Sequence, residues 1–491
     1  MKLWSIAAIA IYILILLIIG YNSYKKTSNI SDYMLGGRGL GPMVTALSAG
    51  ASDMSGWMLM GLPGAVYLTG ISSLWIGIGL TIGAYLNYLL LAPRFRVYTE
   101  VANDSLTIPD YLENRFKDKS NVLRLVSGIV ILVFFILYVS SGIVAGGKLF
   151  LDTFGLTYTM GVVVTLSVVV LYTYFGGFLA VSLTDFFQGT LMFICLIMVP
   201  VVAFINIGVD PGTFTNKITN IDPALFDMFR GTSIASIISL LAWGLGYFGQ
   251  PHIIVRFMAI KSPKELKSAR RIGIGWMAIG LLGAVASGLV GLVYFTEHKT
   301  PLSDPETVFL RLGDILFHPF ITGIILAAVL AAIMSTISSQ LLVCSSSITK
   351  DFYLTLLKKE VSEHKQMIIG RLSVLIVAAL ATILAYLPNK TILDIVGQAW
   401  AGFGSSFGPL LLLSLHWKKM TKWGALSGMI VGGLTVIIWI ASGLSSYLYE
   451  MIPGFFLSLI SIVIVSLLTY KPNSIIDKEF ATMEKTLLDM N

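Results

Sequence analysis

The chain has 491 residues, of which 56% are hydrophobic and 12% charged, about half the charged fraction usual in soluble domains. That much apolar side chain cannot be absorbed by a water-soluble core, and no Walker-type nucleotide signature occurs, which excludes coupling to ATP hydrolysis within this chain. The net charge of +7 is distributed between apolar runs and gives no reason to invoke a nucleic-acid partner.

Apolar runs of about 20 residues, the length a helix needs to cross a hydrocarbon core of about 30 Å, recur along the chain and predict an all-α polytopic membrane protein. Thirteen are expected, at about 3–22, 41–69, 72–93, 123–150, 158–180, 186–208, 232–250, 272–295, 319–346, 367–387, 391–415, 424–443 and 452–470. The first ends at Lys25 and Lys26 with no small-residue cleavage pattern, so it reads as a retained span and not a signal peptide. If odd-numbered spans run inward, 26 of the 33 basic residues fall on the inner side. They include Arg94, Arg96, Arg115, Arg256, Lys264, Lys267, Arg270, Lys350, Lys358 and Lys359; Lys2, Lys148, Lys217, Arg230, Lys299, Arg311 and Lys390 remain outside. This asymmetry predicts a plasma-membrane protein with its N-terminus outside and its C-terminus cytoplasmic. Cys195 and Cys344 lie in separate spans and predict no disulfide.

In the second run, "SAGASDMSGW" at 48–57 places Asp53 in the membrane, where a carboxylate costs on the order of 3 kcal/mol. Such a residue faces a cavity or a partner. On an ideal helix Asp53 and Ser55 lie roughly 200° apart, so both address one region only if the helix is interrupted. Gly50, Gly56, Gly61, Pro63 and Gly64 supply the means. A buried aspartate bonded to neighbouring hydroxyls as packing glue is the structural alternative.

The seventh run ends in "LLAWGLGYFGQPHIIVRF", residues 240–257, where Gly244, Gly246, Gly249 and Pro251 predict a second interruption beside Trp243, Tyr247 and Phe248. Two interrupted spans, each opening a block of helices, point to an inverted-repeat transporter with its site between the halves. The repeats would be 41–208 and 232–415, with 1–40 and 416–470 peripheral and 471–491 a cytoplasmic tail. The aromatic cluster also fits an interfacial belt. In run nine, "LAAIMSTISSQLLVCSSSITKD" carries Ser335, Thr336, Ser338 and Ser339 on several faces. Singly such hydroxyls bond their own backbone; opposite a broken helix they suit a hard cation such as Na⁺.

Taken together, "SAGASDMSGWMLMGLPGA", "FGGFLAVSLTD", "WGLGYFGQPHIIVRFMA" and "AAIMSTISSQLLVCSSSITKD" closely resemble the sodium:solute symporter family, in order from about residue 30 to 420. The resemblance implies thirteen helices around an inverted five-plus-five core, no enzymatic activity, Na⁺ as coupling ion and L-proline as substrate. It implies a sodium site of the carbonyls of Ala51, Met54 and Ala332 with the hydroxyls of Ser335 and Thr336. Asp53 resembles an aspartate required for sodium-dependent uptake, and Asp185 a second acidic residue associated with ion handling. Residues that match the family's proline site are Ser55, Gly56, Tyr138, Trp243, Tyr247 and Pro251. Carriers of other small solutes are the nearest alternative. An intramembrane aspartyl protease using Asp53 and Asp185 is disfavoured by the Gly, Ser and Thr neighbours of both, and a channel is separated from a carrier by saturable, sodium-dependent uptake.

Overall fold

The computed structural model describes residues 2–27, 29–355, 361–386 and 391–490. Lys358, Lys359, Lys390 and the last residue of the run 367–387 lie outside the described residues. Among the described residues the secondary structure is helical, apart from one parallel bridge between Leu40 and Ile260.

Helix α1 (Lys2–Tyr24) and the short α2 (Ile30–Leu35) lead to α3 (Pro42–Asp53), which opens on a proline at its first turn. α3 stops at Met54 (φ −75°, ψ 72°), and the chain resumes through a π turn at Trp57–Gly61 into α4 (Leu62–Thr69). The expected interruption is therefore present, at Met54–Gly56. Gly50 stays helical, and its missing side chain gives room to Trp276, whose ring would lie 2.8 Å from an added Cβ. Gly70 (φ +69°) ends α4, and a Cβ there would meet the Leu225 carbonyl at 2.1 Å.

α5 (Leu74–Leu86) and α6 (Ala92–Val101) are joined by a π turn, and α7 (Ile108–Phe116) precedes α8 (Val122–Phe154). α9 (Tyr158–Ile207) spans both runs 158–180 and 186–208, which meet at Gly177 (φ 60°, ψ −168°). The sequence placed their boundary near 181–185. Ser182, Thr184 and Asp185 are instead fully buried within the second segment, where Thr184 donates to the Ala180 carbonyl and Asp185 accepts from Ser48.

After α10 (Pro211–Ile221), α11 (Ile234–Leu241) passes through tight 3-10 turns at Ala242–Gly249 to Gln250 in extended conformation. α12 (Pro251–Ala259) begins at the proline. This is the second expected interruption. There follow α13 (Leu266–Glu297), α14 (Val308–Leu316), α15 (Pro319–Ser346), α16 (Glu363–Ala385), α17 (Ile392–His416), α18 (Lys422–Ala441), α19 (Met451–Thr469) and α20 (Ser474–Leu488).

Nine stretches among the described residues are long and apolar enough to cross a membrane, and Tyr158–Leu171 and Ile234–Gly249 are shorter apolar helices. The difference from thirteen has a physical origin. Runs two and three share the continuous stretch Trp57–Val101, while α17 is diluted by four glycines that admit close neighbours: at Gly402 a Cβ would lie 2.1 Å from Phe134.

α15 runs through the centre, packed on α1, α3, α8, α9 and α16. No residue from Leu326 to Leu342 is more than 3% exposed, so its hydroxyls all face protein. α19, by contrast, presents Leu457, Ile460, Ile464 and Leu467 outward, as a lipid-facing helix must. Cys195 and Cys344 are buried and free.

Candidate functional site

The two interruptions face each other. Tyr247 donates its hydroxyl hydrogen to Asp53 Oδ2, while Asp53 Oδ1 is buried and has no hydrogen-bond partner. Trp57 donates Nε1–H to the Asp53 carbonyl at 3.1 Å and Ser55 donates its N–H to the same oxygen at 2.8 Å, which fixes the turn. Trp243 stacks on Tyr449 with ring centroids 5.5 Å apart and stands 6.4 Å from Trp57. Trp400 holds this end by donating to the Trp243 carbonyl at 2.8 Å, with its own ring edge-on to Tyr247 at 5.1 Å. Gly246 is required here because a Cβ would lie 1.9 Å from Trp400 Nε1. Gly56 similarly gives room to Ala145 of α8, 2.9 Å from where its Cβ would stand.

Asp53, Met54 and Tyr247 border a cavity of about 30 Å³ with Ala49, Gly50 and Met277. That is room for about one water. Tyr138 of α8 is buried edge-on to His252 at 5.8 Å, and its hydroxyl has no hydrogen-bond partner. Pro251 borders a different cavity, also about 30 Å³, with Met34, Thr107, Phe178 and Asp351. The aromatic cluster is inside the bundle: Trp243 and Tyr247 are buried, which decides against the interfacial belt.

A second constellation joins α3 to α15. Ser335 donates to the Ala51 carbonyl at 2.7 Å and lies 3.2 Å from the Ala332 carbonyl; Thr336 Oγ1 is 3.5 Å from Ala51 O. Four neutral oxygens thus converge where α3 is about to break, and Met54 stands at the break. All are withdrawn from solvent. Carbonyl and hydroxyl oxygens are the neutral hard ligands that a hard monovalent cation takes.

Asp185 is not part of that cluster. It lies about one helical turn away along α3 and α15, accepting from Ser48 at 2.8 Å and Ser339 at 3.4 Å and pairing with Arg256 Nη2 at 3.1 Å. Arg256 also donates Nε–H to Ser48 at 3.1 Å and lies over the Phe178 ring at 5.2 Å. The charge pattern assigns Arg256 to the inner loop; it is instead fully buried on α12, because Asp185 and two serines supply partners for its charge. Its spacing from Pro251, five residues or about 140° round the helix, gives no sequence signal that would have turned it inward.

The sequence matches the model of the sodium:solute symporter family over residues 33–432. This chain belongs to that family. Similar relatives include the osmoregulated proline transporter OpuE of Bacillus subtilis, 57% identical over 99% of both chains. The high-affinity proline transporter PutP of the same organism is 59% identical over 96% of this chain and all of its own length. A sodium/proline symporter of Staphylococcus aureus is 56% identical over 96% of this chain and 94% of its own. Among solved structures, a Na⁺-coupled sialic acid symporter in a substrate-bound outward-open state superposes with TM-score 0.81 at 21% identity, covering 96% of this chain and 98% of that one. This family member therefore shares the helical transporter fold.

Proposed function

We propose that the protein is a sodium-coupled symporter that carries L-proline across the plasma membrane by alternating access, with its N-terminus outside and its Lys- and Arg-rich end in the cytoplasm. The observation that carries this reading is the convergence of Ala51, Ala332, Ser335 and Thr336 oxygens on the broken helix that also holds Asp53. Relatives above 55% identity that are named for proline transport supply the substrate.

Sodium would bind among the carbonyls of Ala51, Met54 and Ala332 and the hydroxyls of Ser335 and Thr336, bridging α3 to α15. Asp53 would favour entry of the cation through its unpaired Oδ1. Holding Ala51 and Met54 sets the turn at Ser55 and Gly56, so the ion shapes the place where substrate sits. Proline is a zwitterion with an apolar ring; Trp243, Tyr247 and Trp57 offer the wall for the ring, and Ser55 and Tyr138 hydroxyls offer polar partners. Pro251 borders the other cavity, with Thr107 and Phe178, and would take part once the two cavities join. Asp185 would respond to the ion through Ser48 and Ser339, one turn from the oxygen cluster. The repeats 41–208 and 232–415 are the moving halves in this reading, since their interruptions touch at Tyr247 and Asp53.

The test is uptake of radiolabelled proline into proteoliposomes under an imposed Na⁺ gradient, competed by amino acids and betaines. Accumulation that choline in place of sodium abolishes, and that only proline competes strongly, supports the proposal. Accumulation of another solute in preference to proline would reassign the substrate, and uptake indifferent to sodium would overturn the coupling.

A further inference from the structure

At the basic end of the bundle a groove of about 590 Å³ opens between the start of α6, the first turns of α13 and the end of α20. It is bordered by Arg94, Lys264, Lys267 and Arg270 and by the apolar Leu89 and Leu487. Lys267 and Arg270, three residues apart, are neighbours on the first turns of α13, and Lys264 stands in the turn that leads into it. Four cations around one groove repel each other unless an anion lies between them. Among the described residues no carboxylate pairs with Lys264, Lys267 or Arg270; Arg94 has Glu484 at 4.0 Å, the limit of an ion pair. Arg270 instead lies over the Tyr85 ring at 5.2 Å.

The walls above the groove are apolar and turned outward. Ile82, Tyr85 and Leu89 repeat at helical spacing on one wall and are 54%, 44% and 40% exposed. With 32 residues α13 is about 48 Å long, which exceeds a hydrocarbon core of about 30 Å and leaves its first turns at headgroup depth. A cationic cavity continuous with an apolar outward wall matches an ionic headgroup carrying acyl chains, and a soluble anion would use only half of it.

We propose that this groove binds the phosphodiester of an anionic phospholipid of the cytoplasmic leaflet, with the headgroup among Arg94, Lys264, Lys267 and Arg270 and the acyl chains along Ile82, Tyr85 and Leu89. The lipid then joins α13, the helix that follows the second interrupted one in the chain, to α6 and the C-terminal helix. The leaflet rests on the orientation proposed for the symporter; the lipid chemistry does not.

The experiment is a lipid titration of the full-length protein in neutral detergent, followed by native mass spectrometry, with phosphatidylglycerol and phosphatidylcholine in parallel. Phosphatidylglycerol is expected to bind at least tenfold more tightly. The variant Lys264→Gln/Lys267→Gln/Arg270→Gln is expected to lose that preference, at about fivefold per cation removed. The charge-matched variant Lys365→Gln/Lys478→Gln/Lys485→Gln should keep it. Equal binding of the two lipids by the parental protein, or equal loss in both variants, would overturn the proposal. So would displacement of the lipid by inorganic phosphate at equal concentration, which would make this a soluble-anion site. The parental comparison needs no variant, so a misfolded triple substitution leaves the question decidable. Labelling of Ser268→Cys by an impermeant maleimide from one side of the membrane tests orientation separately, and none of these readouts depends on proline or sodium.

Discussion

At the scale of single residues the proposed coupling rests on Asp53 and Ser335. Ser335→Ala and Thr336→Ala each remove one neutral oxygen from the cluster around Ala51, so the sodium concentration for half-maximal uptake should rise about tenfold or more in each, with protein abundance unchanged. Asp53→Asn removes a charge and should do more damage than either. Initial-rate uptake against sodium concentration checks all three, and unchanged sodium dependence in both hydroxyl variants would contradict the assignment. Trp243→Ala should weaken proline binding roughly 5- to 150-fold by removing an apolar wall, and Trp243→Phe should lose less. Asp53 was legible in the sequence because a carboxylate is costly inside an apolar run and the glycines and serines around it mark a break in the helix. Arg256 was not, because counting charges along a chain cannot see that its partner, Asp185, comes 71 residues earlier on another helix.

At the scale of elements, both helix interruptions were legible from clustered glycine and proline, the first between Asp53 and Ser55 and the second only to within residues 244–251. The breaks fall at Met54 and Gln250, where tertiary partners decide which residue leaves the helical basin. Gly246 illustrates this, since its need for a missing Cβ comes from Trp400, 154 positions away in the chain. Gly246→Ala should therefore destabilise by about 1–3 kcal/mol and impair proline binding more than sodium binding, as thermal unfolding and ligand titration of the purified protein would show. The C-terminal helix went unread although Ile476, Phe480, Met483 and Leu487 repeat at helical spacing; its Phe480 packs edge-on to Tyr98.

A further element-scale expectation concerns α7. Burial alone would raise the pKa of Asp110, but Lys350, at 2.6 Å, and Arg124 overcome this and hold it below the usual carboxylate range. A depressed carboxylate contributes stability that is fully present above its ordinary pKa of about 4 and is lost only as pH falls through the lowered value. Asp110→Asn should therefore cost about 2 kcal/mol, a deficit constant from pH 8 to pH 5. A deficit that shrinks between pH 7 and pH 5 in thermal unfolding would contradict the pairing.

At the scale of the whole molecule, the family and helical membrane architecture were legible because composition and long motifs survive without knowledge of contacts. The count of separate spans was not, since apolar runs show neither that α9 continues through Gly177 nor that runs two and three share the stretch Trp57–Val101. What the assembled molecule adds is the closeness of the two proposed sites. Ala51 and Asp53 are two residues apart on one helix end, one touching Ser335 and the other Tyr247. An ion at the first and a substrate at the second must then bias the same arrangement of α3 against α15 and the 242–249 turns.

That coupling is the central claim, and equilibrium binding to the purified protein tests it most directly. Proline affinity is measured with and without saturating sodium, and sodium affinity with and without saturating proline. Linkage requires the two ratios to be equal, and a coupling of about 1–3 kcal/mol makes each roughly 5- to 150-fold. The expected result is a matched increase in both titrations, lost in Asp53→Asn. Proline binding of equal strength with and without sodium would contradict the account, even if the protein were shown to transport proline.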